Sequence, residues 1–315
     1  MASQTMAARP TDAVAPPRRR RRRTRRLTTR DRVVLALMVG IPLVVDLAFI
    51  WGPAISTVFL SFTNASGAAP IRNVGGENYT YMFGIDPRTY PAIRHNLIWL
   101  LEFTIIATPL GGLLAVLLDR GMRGSRIYQS VFFLPVMLSL ALIGIIWQIV
   151  YSPQFGLVNG ILHRTTPNTA IDWLGDPHLN LWAVLLEATW RQAGYVMVLY
   201  LAGLKGVDPS LKEAAAVDGA SRWQTFWRVV FPVLRPINNI ILVVTVIESL
   251  RAFDLVYITN RGSNGLELLS AMITTDITGP ANRIGYGSAV GVVLLVISLV
   301  PITIFLAQQF KKEPR

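Results

Sequence analysis

Six blocks of this chain, roughly residues 33–62, 94–118, 127–151, 181–204, 237–260 and 285–309, carry few charges, and each is long enough to cross a bilayer. A hydrocarbon core about 30 Å thick is spanned by about 20 helical residues rising about 1.5 Å each. Backbone groups in hydrocarbon find partners only within a helix or a closed barrel. The alternating segments of about 10 residues that mark a barrel are absent. The pattern predicts an all-α integral membrane protein with six transmembrane helices. Composition agrees: 15% of the 315 residues are charged, against about a quarter in a soluble domain.

The first block is longer than one straight span, and Pro42 and Pro53 are expected to kink or divide it. It is also too long for a signal-peptide core, and no small-residue cleavage site follows it. The chain has no cysteine, which excludes disulfides, cysteine-bound zinc and iron–sulfur clusters.

Basic residues predict the orientation. With the N-terminus inside, 22 of the 30 Lys and Arg residues fall on the inner side and six on the outer. Arg191 and Arg251 lie within spans. This imbalance puts both termini in the cytoplasm. Most of the net charge of +12 is then topology. The run Arg18–Arg23 with Arg25 and Arg26 is expected to hold anionic membrane lipid rather than nucleic acid. Residues 1–32 read as a disordered basic cytoplasmic tail, 33–309 as the six-span domain and 310–315 as a short cytoplasmic end.

The outer loop 64–93 contains ENYTYMFGIDPRTYPAI, which reads as a small cap or short helix. The loop 152–180, with Asp172 and Trp173, is suited to packing over the outer mouth, and 261–284 is glycine-rich at both ends. No internal repeat stands out.

The inner loop 205–236 differs from the others. Asp208 can cap a helix that begins at Pro209, where the missing N–H costs nothing. Leu211, Ala214 and Ala215 fall on one side, and Gly219 can end the helix with a positive φ. Ser221 and Gln224 form the S-x-x-Q pattern of a capping box. Trp223, Phe226, Trp227 and Val230 follow at i, i+3, i+4 and i+7, and Pro232 and Pro236 close the segment. The expected product is a cytoplasmic two-helix loop, its apolar stripe seated on the bundle and Lys212, Glu213 and Arg222 facing the cytoplasm.

This segment resembles the coupling motif of ABC importer permeases: Glu-Ala-Ala, three residues, Gly, nine residues, Ile, one residue, Leu, Pro. Glu213, Ala214, Ala215, Gly219 and Pro232 match in register, with Val229 in place of Ile and Phe231 in place of Leu. Asp218 precedes the matching glycine. FLSFTN (59–64), VGGENY (74–79), FFLP (132–135), WQTFWRVVFPVLRP (223–236) and FDLVYITNRG (253–262) extend the resemblance to the carbohydrate, maltose-type branch over about residues 33–309. It implies a second permease subunit, two ATPase subunits and an extracellular solute-binding protein, in a bacterial or archaeal cytoplasmic membrane. It also implies that Glu213 contacts the ATPase and that Gly219 sets the bend. No G-x-x-x-x-G-K-[ST] occurs, so ATP and Mg are expected on the partner ATPase, with no cofactor on this chain.

Charged residues within spans, Asp46, Glu102, Glu187, Arg191, Glu248, Arg251 and Asp254, are expected to face the bundle interior. Glu187 and Arg191 can pair at i,i+4, and Glu248, Arg251 and Asp254 can form a ladder. Two roles fit these groups: a polar solute pathway, or ion pairs that fix packing. Sugar sites combine aromatic faces with hydroxyl partners. Trp190, Gln192, Tyr195, Thr245, Glu248 and Ser249 are the candidates. Register from Glu213 makes Trp190, Tyr195, Thr245 and Ser249 resemble the family's pocket positions, whereas Ala252 departs from a polar one. Trp and Tyr near span ends also serve as interfacial anchors.

No catalytic set is visible, and His95, His163 and His178 read as surface groups without metal-type spacing. The resulting expectation is a sugar-import permease. The alternatives are a permease for glycerol-phosphate, a polyol or a peptide, and a stand-alone secondary transporter using Glu248 or Asp254. The latter needs inverted repeats, which are not seen.

Overall fold

The computed structural model describes residues 28–67 and 70–310, so the arginine-rich tail and the C-terminal end at 311–315 lie outside the described residues. The described backbone is nearly all helical. The helices are α1 (Thr29–Leu60), α2 (Glu77–Gly84), α3 (Thr89–Asp119), α4 (Ser125–Met137), α5 (Leu140–Val150), α6 (Leu157–Ile161), α7 (Asn180–Lys205), α8 (Pro209–Val217), α9 (Arg222–Val233), α10 (Arg235–Leu250), α11 (Asp254–Asn260), α12 (Leu269–Thr278) and α13 (Ile284–Phe310). Contacts divide the chain into two units, Met1–Pro53 and Ala54–Arg315.

Of the expected kink or division at Pro42 and Pro53, the division does not occur: α1 is continuous. Its capping box is formed by Thr28 and Asp31. It is held together by a π turn at Leu47–Trp51. The same device recurs: π turns at Phe103–Ala107 and Phe226–Val230 sit inside α3 and α9. Each ends two residues before a proline, Pro53, Pro109 or Pro232. A proline ring collides with the carbonyl four residues back. Those carbonyls belong to Phe49, Ile105 and Arg228, which all lie within the π turns. The wider turn accommodates the ring and the missing N–H without ending the helix.

Two other blocks are broken. The expected span 127–151 bends by 103° between α4 and α5. Leu138 and Ser139 are extended there, and the Ser139 hydroxyl accepts from the Leu142 N–H at 3.2 Å, starting a new helix. The block 237–260 is interrupted at Arg251–Phe253, between α10 and α11. Among the described residues, three helices can cross a membrane by length and composition, or up to five if two bent pairs, α4 with α5 and α9 with α10–α11, each count as one span. The 26-residue α7 falls below that apolar threshold, with Glu187, Thr189, Arg191 and Gln192 along it.

Within Ala54–Arg315, α7 is the central element, with 16 of its 26 residues buried. Small residues allow its neighbours to come close. A Cβ on Gly111 of α3 would lie 2.6 Å from the Ala193 carbonyl, and one on Gly194 would strike the Phe132 carbonyl of α4. Such close backbone approach is the main source of packing energy between helices in lipid. Large apolar side chains such as Leu97, Ile105, Leu113, Ile127, Ile149 and Leu186 stay exposed on the outer faces, as lipid contact demands.

The outer loops are ordered, and the short helix expected within 77–93 is α2. Asn78 of α2 donates to the Ser61 and Thr63 carbonyls at 2.8 and 2.9 Å. The loop expected at 261–284 contains α12, whose Leu269, Ala271, Met272 and Asp276 are buried. The Asn96 Oδ1 accepts from the Leu269 N–H at 3.1 Å and caps it. His95 is therefore not a surface group: it is 4% exposed and its Nδ1 lies 2.9 Å from the Glu267 carbonyl. In the loop 152–180, Trp173 donates to the Asn159 Oδ1 at 3.0 Å, and Asn159 donates to the Pro153 and Ile171 carbonyls.

A charged clamp joins these outer elements. Arg88 bridges Asp86 at 2.7 Å and Asp276 at 3.0 Å, and Arg283 reaches Asp276 at 2.7 Å. Tyr286 donates to Asp86 at 2.6 Å, and Arg283 stacks over its ring. Burial alone would raise the Asp86 pKa, but hydrogen bonds from Arg88 and Tyr286 outweigh it and lower the value from 3.8 to about 2. A depressed carboxylate stabilises the fold above its unfolded pKa and loses that contribution as pH falls through the folded value. Arg88→Met should cost about 3 kcal/mol of thermal stability, because it leaves buried Asp86 uncompensated. The stability gap between the wild type and Asp86→Asn should be full above about pH 4 and close towards pH 2. Melting curves of the purified protein across that range test both.

Candidate functional site

Two features stand out from the packing: the α8–α9 loop, and a polar cleft where α10 breaks.

The first helix of the loop is built as its sequence demands. The Asp208 carboxylate accepts from the Ser210 N–H at 2.9 Å, and that bond lowers its pKa. At the other end the Gly219 N–H bonds the Ala216 carbonyl and the Ala220 N–H bonds the Ala215 carbonyl, at 3.1 and 3.0 Å. This pair is a Schellman motif. It requires a left-handed residue, supplied by Gly219 at φ 77°. Ser221 and Gln224 then exchange the two bonds of the capping box, at 2.8 and 3.3 Å. The turn between the helices is thus hydrogen-bonded on both sides, so the two helices hold their mutual angle.

Glu213, Ala214, Ala216, Val217 and Asp218 are exposed, and Ala215 alone in α8 is buried. Val217 is 88% exposed. An apolar and acidic face without cover is what a docking helix presents. The seating differs from expectation in three places. Ala214 faces out rather than in. Lys212 does not project freely, because its Nζ lies 3.5 Å from Asp119 at the end of α3. Of the α9 stripe, Val230 is buried and Phe226 packs on the Leu201–Leu204 cluster, but Trp223 is 70% exposed and Trp227 44%. Trp223, Trp227, Phe226 and Phe231 form their own stack, with centroids 4.9–5.5 Å apart along Trp223–Trp227, Phe226–Trp227 and Trp227–Phe231. Pro232 lies inside α9, and the chain turns by 73° at Leu234 into α10.

The second feature forms where α10 stops at Leu250. The Ala252 carbonyl, released by the break, accepts from the Ser270 hydroxyl of α12. The cleft beside it is lined by Trp99, Phe103, Arg191, Glu248, Arg251 and Asp254 among others. The expected Glu187–Arg191 pair does not form. Arg191 pairs instead with Glu248 across helices at 3.7 Å, and both are partly exposed to the cleft. Glu187 is 1% exposed with neither carboxylate oxygen hydrogen-bonded. The expected Glu248–Arg251–Asp254 ladder is interrupted because the three residues do not share one helix, yet all three line the cleft.

The other candidates lie nearby in different settings. Trp190 is exposed, its ring edge-on to Trp147 at 5.9 Å. Gln192 is 1% exposed and its amide has no hydrogen-bond partner. Tyr195 is half-buried. Thr245 contacts the Thr108 hydroxyl at 3.2 Å and Ser249 donates to the Val246 carbonyl at 3.0 Å, so both hydroxyls are engaged within the packing. Trp99 and Phe103, on α3, were missed from sequence. An apolar aromatic on a span carries no sign of whether it meets lipid, protein or a cleft.

Comparison with known proteins follows this geometry. Residues 107–313 match the family described as "Binding-protein-dependent transport system inner membrane component". The chain is 33% identical over 275 residues to the osmoprotective compounds uptake permease protein GgtC of Synechocystis, covering 85% of this chain and 95% of that one. It is 32% identical to the xylose/arabinose import permease protein XacH of Haloferax volcanii, covering 87% of each. A crystal structure of a bacterial alginate ABC transporter, in complex with an alginate pentasaccharide-bound periplasmic protein, contains a chain of the same fold. Its TM-score is 0.78 at 22% identity, over 91% of this chain and 97% of that one.

Gly219 carries the local prediction. Gly219→Val forces a β-branched residue into the left-handed region, at a cost of about 1–2 kcal/mol. Hydrogen exchange should quicken over residues 209–225 and stay unchanged in α7.

Proposed function

The chain belongs to the binding-protein-dependent transport inner membrane component family, and from that premise we propose that it is one permease subunit of an ATP-driven importer of sugars. The observation that carries the reading is the exposed, doubly capped α8–α9 turn, with Glu213 on its open face and Gly219 at its bend.

In this reading residues 33–309 form six spans, α1, α3, α4 with α5, α7, α10 with α11, and α13, with both termini and the 205–236 loop in the cytoplasm. Two ATPase subunits bind ATP and Mg, a second permease subunit completes the channel, and an extracellular solute-binding protein delivers the solute. The α8 helix sits in a cleft of the ATPase, where Glu213 and Asp218 meet basic groups and Ala214 allows close approach, while Ala215 on the buried face lets α8 seat against the bundle. Closure of the ATPase dimer moves this helix as a rigid body. The 73° turn at Leu234 passes the motion directly to α10. A floppy loop would absorb it. The bundle then alternates between inward-open and outward-open states whose balance the ATPase and the binding protein shift.

The cleft beside the α10 break suits a sugar. Trp99 and Phe103, both almost fully buried, form its apolar edge, Arg191, Glu248, Arg251 and Asp254 offer hydroxyl partners, and Trp190 lies outside this lining. Thr245 and Ser249 lie one layer behind, where they shape α10, and Gln192 and Tyr195 lie on the same stretch of α7 as Arg191. The name of the Haloferax relative, a xylose/arabinose import permease, supports a sugar as cargo, and that of the Synechocystis relative names osmoprotective compounds as the other class.

Glu213→Ala should abolish ATP-dependent uptake, by about 10-fold or more, while the chain still assembles in the membrane at wild-type amount. Uptake in membrane vesicles together with a blot of the assembly measures both. Unchanged uptake would remove Glu213 from the coupling path, and uptake abolished by an uncoupler without ATP would favour a secondary transporter.

A further inference from the structure

A groove with two chemically different halves opens beside α9. Its larger half is apolar, walled by Leu113 and Leu117 of α3, Tyr200 of α7, and Trp223, Trp227 and Phe231 of α9. The smaller half carries the charged groups Asp119, Arg120, Lys212 and Arg222 among apolar side chains and continues towards Ala216 and Ala220 of the α8–α9 turn. The two halves share Val116, Arg120, Leu204, Arg222 and Phe226, so the guanidinium groups stand at the junction between them.

The charges at that junction are uncommitted. Lys212 is taken by Asp119 at 3.5 Å. Arg120 and Arg222 are exposed and, among the described residues, neither makes an ion pair or a side-chain hydrogen bond. Two unpaired guanidiniums at the mouth of an apolar trough call for a ligand that is anionic at one end and hydrocarbon along the rest. Guanidinium matches the paired oxygens of a phosphate. Trp223 and Trp227, 5.5 Å apart, stand where interfacial tryptophans meet lipid headgroups. The chain's own basic tail is excluded as occupant by its like charge.

We infer that this groove is a site for an anionic phospholipid, its phosphate held by Arg120 and Arg222 and an acyl chain lying against α3 and α9. The leaflet follows from the orientation adopted under the proposed function and is the cytoplasmic one. A lipid here touches α9 and the coupling turn together, so its occupancy would bear on how firmly the turn is seated.

The test uses the full assembly in its membrane, photolabelled with phosphatidylglycerol carrying a photoreactive acyl chain, against phosphatidylcholine carrying the same group. Labelled peptides are identified by mass spectrometry. Phosphatidylglycerol should label segments 108–120 and 222–234 at least 5-fold above phosphatidylcholine. R120Q/R222Q should reduce it to the phosphatidylcholine level, R120K/R222K should retain most of it, and inorganic phosphate should not compete. Equal labelling by both lipids, or labelling unchanged in R120Q/R222Q, overturns the site. Competition by inorganic phosphate would make it a site for free anions, and label falling on another subunit's helix would make it a subunit interface. Each outcome is read on these peptides whatever the assembly transports. The importer reading fails separately, by the absence of an ATPase from the same preparation.

Discussion

A peptide group without a hydrogen-bond partner costs several kcal/mol in hydrocarbon, and this constraint shapes nearly every element of the chain. It forces helices and leaves proline as the main hazard. Three prolines are absorbed by π turns rather than by breaks, so α1, α3 and α9 continue through Pro53, Pro109 and Pro232. Where the helix does break, side chains take over the freed backbone groups. Ser139 caps the start of α5, Ser270 bonds the Ala252 carbonyl, and Gln148 donates to the Ile258 carbonyl at 2.8 Å. Irregular backbone at that depth is tolerable only where protein or a cavity surrounds it, and the α10 break accordingly borders the polar cleft.

The same economy explains the stiffness of the α8–α9 turn. Orphan amides and carbonyls at the facing ends of α8 and α9 are satisfied by the Schellman bonds about Gly219 and the Ser221–Gln224 box, and Asp208 caps the far end of α8. Asp119 and Lys212 tie α8 to α3, and Val230 with Leu234 anchors α9 in the cluster around Leu201 and Leu204. At the opposite end the Arg88 and Arg283 clamp fastens α12 and α13 to the α2–α3 corner. The bundle is thus pinned at both ends, with its least regular backbone between them.

Much of this was legible in the sequence, for identifiable reasons. Helix caps are local, and Asp208–Pro209, Gly219 and Ser221–Gln224 form as their spacing dictates. The apolar blocks mark where helices lie because hydrophobic length is a one-dimensional signal. Partner choice is not. Arg191 is four residues from Glu187 yet pairs with Glu248 on another helix, and buried His95 meets a carbonyl 172 residues away. The π turns and the 103° bend at Leu138–Ser139 were missed because proline alone does not tell absorption from breakage. The outward tilt of Trp223 and Trp227 was missed because an amphipathic stripe in a membrane protein has two apolar destinations, core and lipid.

The central claim is that the α8–α9 turn exists to receive the motion of a separate ATPase. The most direct measurement is site-specific crosslinking from Val217, 88% exposed on α8, in native membranes, followed by mass spectrometry of the crosslinked partner. The account predicts one dominant partner, an ATPase of the ABC type, whose crosslink yield changes when ATP is trapped against hydrolysis. A crosslink to lipid or solvent products alone, in membranes where the chain is present and transporting, would contradict it.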